Sequence, residues 1–113
     1  MAKLKGFSEN VTIITGASAG IGRALALNLA QRGAWLVLAA RDESRLKDLA
    51  AECEQLGGRA LVVRTDVADK FQCKSLIDAA VDEFGRIDTM INNAGITMHS
   101  RFDEIKEISF VEK

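Results

Sequence analysis

The sequence contains no tyrosine and no proline, and only one histidine, His99. The missing proline forbids no fold. The missing tyrosine removes the commonest phenolic acid or base from any chemistry done by this chain. A lone histidine cannot build a histidine-rich metal site, and the two cysteines, Cys53 and Cys73, form no Cys-x-x-Cys pair. A disulfide scaffold and a zinc site are both excluded by that pattern, and free thiols point to a cytoplasmic protein. There is no apolar run of about 18 residues, so no membrane span is expected. The opening Met1-Ala2-Lys3-Leu4-Lys5-Gly6 has no apolar stretch of signal-peptide type behind it. Nor is one sign of charge in excess: 15 basic and 16 acidic side chains leave a formal net charge of -1. Bulk electrostatics therefore gives no reason to expect nucleic acid or an anionic membrane as partner.

What is present is enough apolar material for one core, 48% of 113 residues, and too little chain for two domains. Asn10-Val11-Thr12-Ile13-Ile14-Thr15 is a β-branched run that reads as a strand buried on both faces, the parallel-sheet pattern. A helix from Arg23 to Arg32 follows, with Ile21, Leu25 and Leu29 expected on its buried face and Gly33 stopping it. Ala34–Ala40 reads as a second strand. A second helix runs from about Arg45 to Leu56, capped by Ser44 or Asp42, with Leu46, Leu49, Cys53 and Leu56 as its apolar stripe. Gly57-Gly58 ends it. Ala60–Val63 is the third strand. Asp69 caps a helix through Phe84 whose inner face carries Leu76, Ile77, Ala80 and Phe84. Asp88–Asn92 is the fourth strand, and a charged, partly helical tail is expected around Phe102 to Ile108. The two cysteines fall on helix faces and read as packing residues. Alternation of strand and helix predicts an α/β fold, a parallel sheet wound by right-handed crossovers.

The chemistry sits in the turn between the first strand and the first helix, where glycine stands at 16, 20 and 22 in Gly16-Ala17-Ser18-Ala19-Gly20-Ile21-Gly22. Such a turn aims free backbone N–H groups and the positive end of the helix at one place, and glycine lets a phosphate approach the backbone. The spacing is not GxGxxG. It is not a P-loop either, because Arg23 follows Gly22 where a Lys-Ser/Thr pair would be needed. A tight turn with small-residue packing and no ligand is the competing reading.

Thr15–Gly22 resembles the TGxxxGIG signature of the short-chain dehydrogenase/reductase family, Asn92-Asn93-Ala94-Gly95 resembles its NNAG signature, and Asp66-Val67 resembles its adenine contact. The resemblance covers about Gly6 to Glu107. It implies a Rossmann-type sheet of order 3-2-1-4 in the part present, and a dinucleotide-binding domain over residues 1–113 whose C-terminal half lies beyond this chain. It implies that Gly16, Ser18, Ala19, Gly20, Ile21 and Gly22 hold the pyrophosphate and adenosine ribose, Ser18 through its hydroxyl and Ile21 through its amide. Asp66 would accept from the adenine amino group and the Val67 amide would meet a ring nitrogen. Asn93, Ala94 and Gly95 would line the ribose and nicotinamide side, Asn93 also fixing the neighbouring strand. Asp66 equally reads as a turn or capping residue. Asn92 reads as structural, and His99 as a loop residue with no visible orienting partner.

The cofactor is expected to be NADP(H) in preference to NAD(H). A site for NAD places a carboxylate at the end of the second strand, where this chain has Ala40 and then Arg41. A guanidinium suits a 2'-phosphate. Asp42 is close, and the second basic residue that the family often carries before the middle glycine is Ala19 here. Arg41 as a solvated loop charge is the alternative. The family's acid/base is the tyrosine of a Tyr-x-x-x-Lys pair, helped by a serine and an asparagine. With no tyrosine present, no catalytic residue is assigned and the chain alone is expected to be inactive. The resemblance therefore implies the N-terminal portion of an oxidoreductase that moves hydride between NADP(H) and a small carbonyl or alcohol substrate, a homo-oligomer at full length. The fourth strand would be an open edge in such a fragment. A nucleotide-binding or interaction module without turnover, and a truncated fragment without function, remain as alternatives.

Overall fold

The computed structural model describes residues 8–93. Their elements alternate: β1 (Val11–Thr15), α1 (Gly20–Gln31), β2 (Trp35–Ala40), α2 (Glu43–Gln55), β3 (Arg59–Arg64), α3 (Lys70–Phe84) and β4 (Thr89–Ile91). The sheet is parallel throughout and its order is β3-β2-β1-β4, the expected Rossmann-type arrangement. Ala94, Gly95, His99 and the expected tail helix lie outside the described residues.

The period of two along each strand divides the core between the two faces of the sheet. Ile14, Leu36, Leu38 and Ala40 pack under α1 and α2 with Leu29, Leu46, Leu49 and Cys53. Ile13, Val37 and Ala39 point the other way, against Cys73, Leu76, Ile77 and Ala80 of α3. β1 is buried at every position and β2 at all but its first, so both are apolar apart from the buried Thr12 and Thr15 of β1, whereas β3, with a neighbour on one side among the described residues, is half-buried and begins and ends on arginine. Each fully buried Leu or Ile contributes about 1.5–3 kcal/mol.

Three details differ from the expectation. The inward face of α1 is Gly22, Ala26, Leu29 and Ala30, while Leu25 is half-buried and Ile21 is 71% exposed. The helix turns its smallest residues to the sheet because it begins too close to β1 to fit a branched side chain there. Leu56 has left the apolar stripe of α2, as it follows the last helical turn and is exposed. Phe84 is half-buried at the rim, 5.6 Å from the Trp35 ring. The Arg59 guanidinium covers both rings, at 4.9 and 5.2 Å from their centroids. Phe84 thus keeps the inward side expected of it, packed against the α3 face of the core, but only partly buried.

Caps set two of the helix starts. Between the two caps considered for α2, it is Asp42 that accepts from the Arg45 N–H. Asp69 accepts from the N–H groups of Phe71 and Gln72 to start α3. Asp69→Ala is expected to lower stability by about 1 kcal/mol, read as a shift in the denaturant midpoint. Asp69→Asn should restore most of it.

Candidate dinucleotide site

β1 has β2 on one side and β4 on the other, so the chain winds outward through β2 and β3 and crosses back over the sheet through α3 to reach the other side of β1. In sheets of this kind a crevice opens at the carboxyl end of β1. The glycine turn lies there, fastened on both sides. The Ala17 N–H donates to the Ala39 carbonyl at 3.2 Å, tying the turn to the end of β2. From the β4 side, the Asn93 amide nitrogen Nδ2 donates to the Gly16 carbonyl at 3.2 Å, and the Asn93 backbone N–H donates to Thr15 Oγ1 at 3.0 Å. Thr15 is fully buried, and its hydroxyl in turn lies 3.3 Å from Asn92 Oδ1. Asn92 thus has the structural role expected of it. Asn93 fixes the turn with its side chain as well as its backbone.

Two of the three glycines are required for different reasons. A Cβ on Gly22 would stand 2.3 Å from the Gly16 carbonyl oxygen and 2.7 Å from Asn93 Nδ2. Only glycine lets α1 start this close to the turn. Gly20 has φ +58 and would meet nothing within 4 Å. Its requirement is conformational on the protein side, and the space beside it is open. α1 opens without a side-chain cap, since Ala19 offers none, and with no acidic residue in its first turn. The first N–H groups of a helix have no partner inside it. Those of Gly20, Ile21 and Gly22 therefore face the open side of the turn with the positive end of the helix behind them.

The other expected residues border the same end of the sheet. Arg41 directly follows β2, two residues after the carbonyl that holds Ala17. It is exposed and has no hydrogen bond or ion pair among the described residues. Asp66 follows β3. Its Oδ1 accepts from the Ala68 N–H at 3.0 Å, the local turn bond that was its alternative reading, and its own N–H donates to Gln72 Oε1 at 2.8 Å. Val67 packs against the α3 side of the core.

A cleft of about 430 Å³ lies beside the turn, lined by Ser18, Ala19, Gly20, Arg23, Arg45, Asp48 and Glu52. Its arginines did not emerge from the sequence. Arg23 pairs with Glu52 and joins α1 to α2. Gln72 was also missed, although Asp69-x-x-Gln72 has the spacing of a capping box. Its Nε2 donates to Asp69 Oδ2 at 3.1 Å, leaving Oε1 to orient Asp66. Neither cysteine is poised as a nucleophile. Burial, reinforced by Glu52, pushes the Cys53 thiol up to about 11, and its Sγ lies 3.7 Å from the Ala26 carbonyl. The Cys73 thiol is buried as well, 3.6 Å from the Val67 carbonyl. No group of metal-ligating side chains is found among the described residues, and no helix there is long and apolar enough to cross a membrane.

The family model described as short chain dehydrogenase matches residues 10–113, nearly the whole sequence. The chain belongs to the short-chain dehydrogenase family. Among its relatives in that family is 11-beta-hydroxysteroid dehydrogenase A of Sesamum indicum, 44% identical over an alignment of 108 residues that covers 91% of this chain and 31% of the relative. A hydroxysteroid dehydrogenase from Escherichia coli is similar in structure, with a TM-score of 0.78 and 32% identity over 85% of this chain and 41% of that one. So is the NADH-dependent reductase A1-R' complexed with NAD, with a TM-score of 0.72 and 31% identity over 78% of this chain and 37% of that one. The chain thus spans between three and a little over four tenths of the length of these relatives.

Proposed function

We propose that this chain is the cofactor-binding part of a nicotinamide-dependent oxidoreductase, and that it prefers NADP(H). The observation that carries the reading is the uncapped start of α1 at Gly20, with open space beside a glycine of positive φ. That is a cradle for an anion, and membership of the short-chain dehydrogenase family identifies the anion as the pyrophosphate of a dinucleotide. The amides of Gly20, Ile21 and Gly22 hold it, with the Ser18 hydroxyl and the Ala19 backbone at the adenosine ribose. Gly16 and Asn93 form the floor, and Ala94 and Gly95, outside the described residues, are assigned to the nicotinamide side on the family signature alone. Asp66, pre-set by Gln72 and by its turn bond, offers its second carboxylate oxygen to the adenine amino group, beside the Val67 amide.

When bound, the nicotinamide supplies hydride transfer to or from a carbonyl or alcohol carbon. The hydroxysteroid dehydrogenases among its relatives act within that substrate class by their names. This chain's own residues bind and orient the cofactor. With no tyrosine in the sequence, none of them is assigned as the acid or base.

The preference for NADP(H) rests on Ala40 and Arg41. The carboxylate that would select a ribose 2'-hydroxyl is replaced by a methyl group, and the next residue is an exposed, unpaired guanidinium. The structural relative described as NADH-dependent is complexed with NAD, so the preference for NADP(H) rests on these two side chains and not on the fold. Calorimetric titration of the 113-residue chain is expected to give saturable binding, tighter for NADPH than for NADH. Arg41→Ala should weaken NADPH about tenfold, the loss of one charge-assisted contact, and leave NADH within about twofold. Equal losses for both would remove Arg41 from the 2'-phosphate. No binding of either would overturn the cofactor reading.

A further inference from the structure

We infer that Arg45 governs the cofactor preference by offsetting the charge of Asp42, an inference that rests on the dinucleotide reading above. Asp42 cannot leave the rim of the site. It caps α2, its Oδ1 accepting from the Arg45 N–H at 3.1 Å, and it is the residue next to Arg41. A carboxylate fixed there repels a phosphate on the ribose and leaves a neutral hydroxyl almost unaffected. Nothing on the glycine turn compensates, since Ala19 carries no charge.

The compensation comes from α2 itself. Arg45 Nε lies 3.4 Å from the other carboxylate oxygen of Asp42, Oδ2. The same arginine lines the cleft that Ser18, Ala19 and Gly20 border, which Arg41 does not. One side chain therefore both pairs with the capping carboxylate and borders the cleft beside the turn. The remaining charges of the cleft leave this task to Arg45. Arg23 is engaged by Glu52, and Asp48 adds a negative charge on the α2 wall. The spacing explains why one residue does both jobs. Asp42 is the N-cap of α2 and Arg45 its third helical residue, so the N–H that the cap must satisfy and the side chain that neutralises the cap belong to the same residue.

The test is the affinity of the chain for NADPH and for NADH in three variants. Arg45→Ala is expected to weaken NADPH on the order of fivefold at low salt, one uncompensated charge near a dianion in a water-like medium, and to leave NADH unchanged. Asp42→Asn/Arg45→Ala should recover most of that loss, because asparagine caps as well as aspartate and carries no charge. Asp42→Asn alone should bind NADPH more tightly than the unsubstituted chain. The Arg45→Ala deficit should shrink at 0.5 M salt, roughly a quarter to a half of the low-salt Debye length remaining. A purely structural role for Arg45 would weaken both cofactors alike, and removing Asp42 would not restore NADPH. Either result overturns the inference while leaving the dinucleotide reading intact. An unsubstituted chain that binds neither cofactor overturns the dinucleotide reading and this inference with it, whereas one that binds NADH more tightly overturns the preference for NADP(H) and this inference but leaves the dinucleotide reading standing.

Discussion

Gly22→Ala is expected to lower the stability of the chain by about 3 kcal/mol, the upper range for forcing an added carbon into a packed site. The thermal midpoint should fall by about 15 °C, followed by circular dichroism. The added methyl would stand 2.3 Å from the Gly16 carbonyl oxygen and 3.0 Å from its carbonyl carbon. These are backbone atoms in a turn held from both sides by Ala39 and Asn93, so they cannot swing aside as the end of a long side chain would. Relief requires α1 to move away from the sheet, which opens the contacts of Ala26, Leu29 and Ala30 with Ile14 and Leu36. The clash at 2.7 Å with Asn93 Nδ2 would also break the bond between β4 and the turn. A midpoint within about 2 °C of the unsubstituted chain would show that α1 is not seated on the turn as described.

That dependence of a helix on a single hydrogen atom bears on how much the sequence discloses. Strands β1 and β2 were legible because they are mostly apolar and, in β1, β-branched throughout, the pattern of a strand buried on both faces. The alternation of elements gave a parallel α/β sheet, and the strand order followed from the resemblance to the short-chain dehydrogenase/reductase family. The buried face of α1 was misread because Ile21 and Leu25 are larger and more apolar than Gly22 and Ala26, and hydrophobicity alone assigns large residues to the core. At a helix packed on a tight turn the available volume decides, and the smallest residues face inward. For Phe84 the inward side was legible and the ring contacts were not. Its partners are Trp35 and Arg59, distant in sequence, and the cation over two rings at the sheet edge leaves no periodic signal.

The site shows the same division. Gly16, Gly20, Gly22, Asn93 and Arg41 were legible because motif spacing places them on strand ends and turns. Arg45, Arg23 and Gln72 were not, because each acts through a side chain whose partner is set by the packing of one helix on another or by the path of a loop. Arg23 meets Glu52 only because α1 and α2 lie side by side. Gln72 reaches Asp66 only because the loop after β3 folds back over the first turn of α3.

Gly20→Val should act on binding where Gly22→Ala acts on stability, and the contrast locates the phosphate. At Gly20 an added Cβ would meet nothing within 4 Å beyond its own turn of helix, so the clash that Gly22 would suffer is missing. The protein bears only the strain of a branched residue at φ +58, about 1–2 kcal/mol. The open space, however, is where a pyrophosphate would accept from the amides at the start of α1. A valine there would hold the phosphates away from those donors, and each charge-assisted hydrogen bond is worth about 1.5–3 kcal/mol. Losing two gives a fall in affinity of more than about a hundredfold, the same for NADPH and NADH because both carry the pyrophosphate. Gly20→Ala should lie between, with less strain and a smaller obstruction. Calorimetric titration of both variants, after a thermal scan shows that they fold, separates the two effects. Binding kept by a folded Gly20→Val chain would mean that the phosphates do not rest on this turn, and the uncapped start of α1 would lose its proposed function.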